Sequence, residues 1–430
     1  MLFYSSLLTL TLVASAPWWL WRMATSGRYR AGLAGRLGLL PRPLDDVIAG
    51  RAAAEGLIWL HAVSVGEVLA GERLVADLRA ALPGFLVVVS TTTATGFKVA
   101  GEKLGVPVFY FPLDFAFAVR SYLRALRPSL FVTMESEFWP RMLVECERAQ
   151  VPVAVVNARV SDRSFPRYMR LRRLWRPLLR KVRIFLAQGE ESAERLRQIG
   201  VAGDRIRVVG NLKYDAATVA DNRVAEIIKQ AAQGRPIVVA GSTADRKNDK
   251  SLSEDEMVIQ AWEGELRKVH QAMLVLAPRH PQRFGQVQAV AMEFELQNAS
   301  KMAQGQQSTP NGTEIVLLDT IGDLAAVYKV ADVAFVGGSL VAKGGQNPLE
   351  AARFGVPVVM GPSYENFREM VDAMRGTDAI GIVQKQEQLE SALIDALKHG
   401  SSMGERGRLF FESQTGATQR TVQALVELVR

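Results

Sequence analysis

From Leu57 onward the chain alternates short runs of Val, Ile, Leu and Ala with longer stretches whose apolar residues recur at helical spacing. Runs that are apolar throughout, rather than in-and-out, mark strands buried on both faces, as in a parallel sheet covered by helices. A first series comprises Leu57 to His61, Phe85 to Ser90, Val106 to Tyr110, Leu130 to Thr133, Val153 to Asn157 and Ile184 to Ala187. A second comprises Ile237 to Ala240, Met273 to Ala277, Ile315 to Leu318, Val333 to Val336 and Val356 to Met360. Two such series predict two α/β domains, 23–210 and 211–404, with Asn211-Leu212-Lys213-Tyr214-Asp215 as the link. The segment 405–430 keeps helical spacing and is expected to pack back on one of them. Ala244 to Glu254 and Gln304 to Gly312 are polar and read as surface loops.

The first 22 residues form a separate segment. Met1 to Trp21 carries no charged side chain, which at ~1.5 Å per helical residue is about enough to cross a ~30 Å hydrocarbon layer, or to lie partly embedded in it. Trp18, Trp19 and Trp21 crowd the end beside Arg22, as interfacial aromatics do. Arg22, Arg28, Arg30, Arg36 and Arg42 precede the first acid, Asp45, which places the rest of the chain on the cytoplasmic side. The competing reading is a cleaved signal peptide ending at Ala14-Ser15-Ala16, against which stand Pro17 and the lack of a basic start.

The ends of the strands carry the unusual residues. His61-Ala62-Val63-Ser64-Val65-Gly66-Glu67 puts Glu67 at a helix start, as a general base or as an acid that merely favours the helix dipole. Met134-Glu135-Ser136-Glu137-Phe138-Trp139-Pro140 places two carboxylates at another strand end. In the second series, Gly241-Ser242-Thr243, Pro278-Arg279-His280-Pro281, Asp319-Thr320-Ile321-Gly322-Asp323 and the stretch Gly337-Gly338-Ser339 through Glu350 all come after strands, so four loops are expected to converge on one anionic ligand. Asn347, Pro348 and Glu350 fit the cap, first position and first turn of a helix about two turns long, closed by Gly355. The spacings of Asn347/Glu350 and Thr320/Asp323 are equally those of plain capping boxes. Neither a G-x-G-x-x-G fingerprint nor a P-loop is present.

Composition narrows this further. The net charge of +8 calls for an anionic partner: nucleic acid, a phosphorylated substrate or a membrane surface. Arg163 to Arg183 holds nine Arg or Lys and no acid, interleaved with Leu174, Trp175 and Leu178, which suits a lipid surface or a phosphorylated lipid. The single cysteine, Cys146, excludes an internal disulfide, and four scattered histidines make a zinc site improbable.

The segments His61 to Glu67, Glu135 to Pro140, Asn157-Ala158-Arg159-Val160-Ser161, Gly210 to Asp215, Pro278 to Pro281 and Gly337 to Glu350 together resemble the 3-deoxy-D-manno-octulosonic acid (Kdo) transferases of lipopolysaccharide synthesis, over nearly the whole chain. The resemblance implies a GT-B fold, two Rossmann-like domains facing across a cleft, behind an N-terminal membrane anchor on the cytoplasmic face of the inner membrane. It implies CMP-Kdo as donor, lipid IVA as acceptor, inversion at the anomeric carbon, and neither cofactor, metal nor nucleic-acid partner. By the same resemblance Glu67 is the base, and Lys213 with Glu135 or Glu137 stabilises developing charge. Pro278, Arg279, His280, Ile321, Gly322, Asp323, Asn347, Pro348, Leu349 and Glu350 hold CMP, with Glu350 on the ribose. Two departures stand out: Gln346 replaces the family's usual His, and the loop after Gly241-Ser242-Thr243 is longer and reads Ala-Asp-Arg-Lys-Asn-Asp where the family has Arg-Glu-Gly-Glu. The rival readings are a transferase for another lipid or nucleotide sugar, a sugar-nucleotide epimerase, and a membrane-tethered nucleotide-sugar sensor.

Overall fold

The structure is a computed structural model that describes residues 2–26, 31–162, 164–215, 222–245, 252–305 and 312–430. Arg28, Arg30, Arg163, the Arg246 to Asp249 stretch and 306–311 lie outside the described residues. The chain divides into two compact units, one of Met1–Ala217 with Gln414–Arg430, the other of Thr218–Ser413.

In the first unit seven parallel strands run in the order β3-β2-β1-β4-β5-β6-β7. They are β1 Gly56–His61, β2 Phe85–Thr91, β3 Val108–Tyr110, β4 Leu130–Met134, β5 Val153–Ala158, β6 Ile184–Ala187 and β7 Ile206–Val208. Side chains from alternate faces of β1 feed two cores: Leu57 and Trp59 with Phe109, Phe131 and Tyr122 on one side, Ile58 and Leu60 with Leu74, Val75 and Leu78 on the other. Burial on both faces explains why these strands read as unbroken apolar runs. The short edge strand β7, Ile-Arg-Val with exposed Arg207 and Val208, has no such signature.

The second unit has its own seven-stranded parallel sheet, ordered β10-β11-β9-β8-β12-β13-β14. Its strands are β8 Ile237–Thr243, β9 Met273–Pro278, β10 Leu296–Asn298, β11 Ile315–Leu317, β12 Val333–Val336, β13 Val358–Met360 and β14 Gly381–Ile382. At the end of β8, Gly241 lies under Tyr328, so close that a Cβ there would fall 1.8 Å from the phenol oxygen. Only glycine fits.

Several expectations are corrected. The apolar N-terminus is two helices, Leu2–Ala14 and Ala16–Ser26, and among the described residues no helix is long and apolar enough to cross a membrane. Pro17 explains the interruption, since it has no N–H to continue the hydrogen-bond ladder past Ser15. The first helix docks on its unit through Tyr4, whose hydroxyl donates to Asp114 Oδ2 at 2.8 Å, and Ser5, whose hydroxyl accepts from Arg141 Nη2 at 2.5 Å. Leu7, Leu10, Val13, Trp18, Leu20 and Trp21 remain exposed. The predicted link is instead a 3-10 turn, Leu212–Asp215, built into the first unit. The stretch 405–430 is not one helix: Ser401–Gln414 ends before Gly416 (φ 82°), and Ala417–Val429 begins after it. Finally, the helix after Asn347 is one turn, Leu349–Ala352, rather than two.

Candidate active site

In the first sheet β1 is flanked by β2 on one side and β4 on the other, so the chain winds away in opposite directions from that pair. Connections leaving the carboxyl ends of β1 and β4 therefore diverge and open a crevice, the usual ligand position in such sheets. Glu67 comes after β1 in the first turn of the helix Val65–Ala81, and Glu135 comes directly after β4.

Glu67 is only 6 % exposed. Its Oε2 accepts from Val63 N at 2.9 Å and its Oε1 from the Ser64 hydroxyl at 3.1 Å, so it does stabilise the helix start. Burial raises its pKa to about 7; the Val63 and Ser64 hydrogen bonds oppose the shift, and the nearby charges of Glu135 and Glu137 add to it. Glu137 is itself raised, by burial and then by Glu135. The backbone at Glu135 is left-handed, φ 55°, and is pinned there by its N–H donating to Val156 O at 2.9 Å. From that position Glu135 Oε1 meets Lys213 Nζ at 3.0 Å. Of the two candidate carboxylates, Glu135 is thus the one paired with the lysine.

Lys213 is positioned through Asn157, whose importance shows in the sequence only as part of the Asn-Ala-Arg-Val-Ser motif. Asn157 is fully buried at a break in the β5–β6 register with φ 53°, and its Oδ1 accepts from Leu212 N at 3.0 Å. His61, at the end of β1, is buried and stacked on Phe111 at 3.8 Å, with Nδ1 3.1 Å from Ser90. Burial lowers its pKa to about 3 against the Ser90 backbone hydrogen bond, which keeps it neutral at physiological pH.

The second sheet reverses between β8 and β12, and the loop after β12 is rich in glycine, with Gly337, Gly338, Gly344 and Gly345. Here the amides of the loop after β12 face a carboxylate of the chain itself. Glu254 is completely buried, with Oε2 accepting from Ala244 N (2.8 Å) and Gly338 N (2.6 Å) and Oε1 from Ser339 N (2.9 Å) and Leu340 N (2.8 Å). The loop's amides are occupied by the protein's own carboxylate. The neighbouring Asp255 is also fully buried and pairs with Arg283 and the Thr243 hydroxyl. The expectation of a surface loop from Ala244 to Glu254 therefore fails at its far end, where a polar residue is a buried structural anchor.

The remaining predicted residues lie at or just after strand ends of this sheet, with Leu349 and Glu350 in the one-turn helix that follows β12. Pro278 ends β9, and exposed Arg279 is fixed by its N–H donating to Thr243 O at 3.1 Å, with His280 beside it. Ile321 is 82 % exposed, Gly322 has φ 95°, and Asp323 accepts from Asn222 Nδ2 at 2.6 Å. The Thr320/Asp323 capping box does not form: no side chain caps the helix Leu324–Tyr328, and Thr320 Oγ1 is buried without a partner. Asn347 Oδ1 accepts from Leu349 N at 3.1 Å across Pro348, and packing around the Glu350 carboxyl raises its pKa against the pull of Arg353 and a hydrogen bond with Asn347. Gln346 Nε2 donates to the adjacent Gly345 O, 2.9 Å away. Among the described residues no group of three His, Cys, Asp or Glu could hold a metal ion.

Chemically, the first unit thus offers a carboxylate poised near neutrality beside a lysine–glutamate pair, and the second a set of polar loops that includes Arg279 and Glu350. A family model for 3-deoxy-D-manno-octulosonic-acid transferase (Kdo transferase) matches residues 31–216. The 3-deoxy-D-manno-octulosonic acid transferase of Bordetella pertussis is 35 % identical over 97 % of this chain and 97 % of its own, and that of Haemophilus influenzae 31 % over 93 % and 92 %. The chain belongs to the Kdo transferase family. It is accordingly a glycosyltransferase of lipopolysaccharide synthesis. Solved structures give the fold: a glycosyltransferase from Rickettsia africae (TM-score 0.56, 11 % identity, 87 % of this chain and 99 % of that one) and the UDP-GlcNAc 2-epimerase of Neisseria meningitidis bound to UDP-GlcNAc (0.58, 12 %, 86 % and 100 %). This Kdo transferase therefore has a GT-B-like α/β fold with two parallel seven-stranded sheets.

Proposed function

We propose that the protein transfers Kdo from CMP-Kdo to lipid IVA with inversion, without a metal, and with Glu67 as the general base. The observation that carries this reading is a buried carboxyl with a pKa near 7 at the reversal point of the first sheet. Such a group is half ionised at neutral pH, where it is basic enough to take a proton from a sugar hydroxyl. The hydroxyl oxygen attacks the anomeric carbon of Kdo as the bond to the CMP phosphate breaks. The proton stays on Glu67, and the electron pair leaves with CMP. Lys213, held by Glu135, offsets the negative charge that develops, and Glu137 raises the basicity of Glu67 across the crevice.

The first unit would hold the acceptor and the second the donor. Pro278, Arg279, His280, Ile321, Gly322, Asp323, Asn347, Pro348, Leu349 and Glu350 would surround CMP, with Arg279 near the phosphate and Glu350 on the ribose hydroxyls. Glu254 already fills the amides of the 338–341 loop, so in this reading phosphate recognition falls to side chains such as Arg279. The two N-terminal helices, with their exposed Trp and Leu, would lie in the cytoplasmic surface of the inner membrane instead of crossing it, next to the basic segment beyond Ser161.

The deciding assay supplies CMP-Kdo and lipid IVA in detergent and reads product mass with and without a chelator. The expected result is an equal yield of Kdo-lipid product in both. For Glu67→Ala, transfer should fall by about 10²–10⁴ while CMP binding is retained. Loss of CMP binding together with transfer would place the base elsewhere, and epimerisation of a free nucleotide sugar would favour the rival chemistry.

A further inference from the structure

In a parallel sheet the loops that lead from helix to strand lie at the amino end, opposite the crevice that holds Glu67. At that end of the first sheet the loop between the helix Glu190–Ile199 and β7, together with the end of the helix Arg172–Leu179, borders a surface hollow of about 370 Å³. Arg176, Arg180, Arg197 and Arg205 line it, and no acid does. Arg197 is offset by two carboxylates, Glu194 at 3.1 Å and Glu190 at 3.9 Å, so the unbalanced charge of the hollow comes from the other three. Arg205 donates to the carbonyls of Arg180 and Val182 (3.2 Å to the latter), uncharged acceptors that fix the guanidinium without cancelling its charge. Among the described residues no carboxylate pairs with Arg176 or Arg180. Gly200, at φ 107°, lets the stem of Arg176 lie across it: a Cβ there would be 3.0 Å from Arg176 Cγ.

We infer that this hollow binds the phosphate of a membrane lipid headgroup. Guanidinium groups match phosphate oxygens two bonds at a time, and several like charges set around one hollow are relieved by an anion. No aromatic side chain lines the hollow for stacking a base, which disfavours nucleic acid. The segment that supplies Arg176 also leaves Leu171 41 % and Leu174 69 % exposed, so apolar and phosphate-binding groups stand together as they do at a lipid surface. The inference rests on the reading that the basic segment meets a membrane. It adds a defined headgroup site, remote from the reacting groups.

The test uses the full-length chain and vesicles of phosphatidylcholine containing phosphatidylglycerol. Arg176→Gln with Arg180→Gln is compared with Arg170→Gln with Arg172→Gln, which removes the same charge from the same exposed segment outside the hollow. Diffuse attraction alone predicts equal losses for the two pairs, roughly 30-fold each. A real headgroup site predicts at least about a tenfold greater loss for the Arg176/Arg180 pair. Inorganic phosphate should also displace the unmodified protein from vesicles better than chloride at equal ionic strength, and should show no such advantage with the Arg176/Arg180 variant. Equal losses for both pairs would overturn the site. Phosphate binding in solution with no difference in vesicle binding would overturn the lipid source. Failure of the unmodified protein to bind vesicles would instead overturn the membrane reading beneath both.

Discussion

A glutamate in the first turn of a helix ordinarily titrates near 4.5, and Glu67 reaches about 7 because it is taken out of water beside two other carboxylates. As a base it must be ionised, so transfer should fall as pH drops through about 7, and this limb should be absent from the residual activity of Glu67→Gln. Glu135→Gln removes one of the charges that raise Glu67, so the limb should move toward lower pH by a fraction of a unit. An unmoved limb would detach Glu135 from the site. The same shift bears on stability. A pKa raised in the folded state means that the fold prefers the protonated carboxyl, so its favourable contribution is present below pH ~4.5 and lost as pH rises through ~7. Glu67→Gln should therefore be more stable than the parent above pH ~8, by roughly 2–3 kcal/mol, with the gap closing near pH ~5. Urea unfolding at the two pH values measures it, and a gap that is the same at both would contradict the raised pKa.

Among the elements, the strands with continuous Val, Ile and Leu were legible because burial on both faces leaves no other composition. β7, β10 and β14 were not, since two or three residues at a sheet edge carry too little apolar signal to stand out from loop. Of the candidate site, Glu67, Glu135, Glu137 and Lys213 were legible as positions at strand ends and in motifs, and the fold brings these side chains near one another. What could not be read is which backbone amides a carboxylate captures. Glu254 lies 13 residues past Gly241 in a polar stretch, and only the fold brings it to the loop after β12. The consequence is testable. Glu254→Ala strands at least four buried N–H groups and should cost about 4 kcal/mol or more in the second unit. Glu254→Gln, which keeps the shape but offers only one acceptor oxygen, should cost less. If Glu254→Ala unfolds at the same urea concentration as the parent, the carboxylate is not the loop's support.

At the scale of the whole molecule, the chain leaves the first unit after Ala217 and returns to it at Gln414. The returning helix Ala417–Val429 is integral to that unit: Ala417, Val422 and Leu425 join the core formed by Val68, Leu74, Val75 and Leu78. It also completes the support of Lys213. Asp215, at the end of the same 3-10 turn, accepts from Gly416 N at 2.7 Å and from Thr418 N, and Arg420 Nε reaches Val209 O at 2.8 Å. A chain ending at Gln414 therefore loses apolar burial worth about 1.5–3 kcal/mol for each large side chain and frees the turn that holds Lys213 beside Glu135. The first unit should unfold earlier while the second keeps its stability, and transfer should fall with CMP binding intact. Leu425→Ala is the milder version, expected to cost about 2–5 kcal/mol through the cavity it leaves. Asp215→Ala separates the two effects, because it unpins the Lys213 turn without emptying the core. If Asp215→Ala leaves transfer unchanged, the returning helix supports the fold alone and has no hold on the lysine.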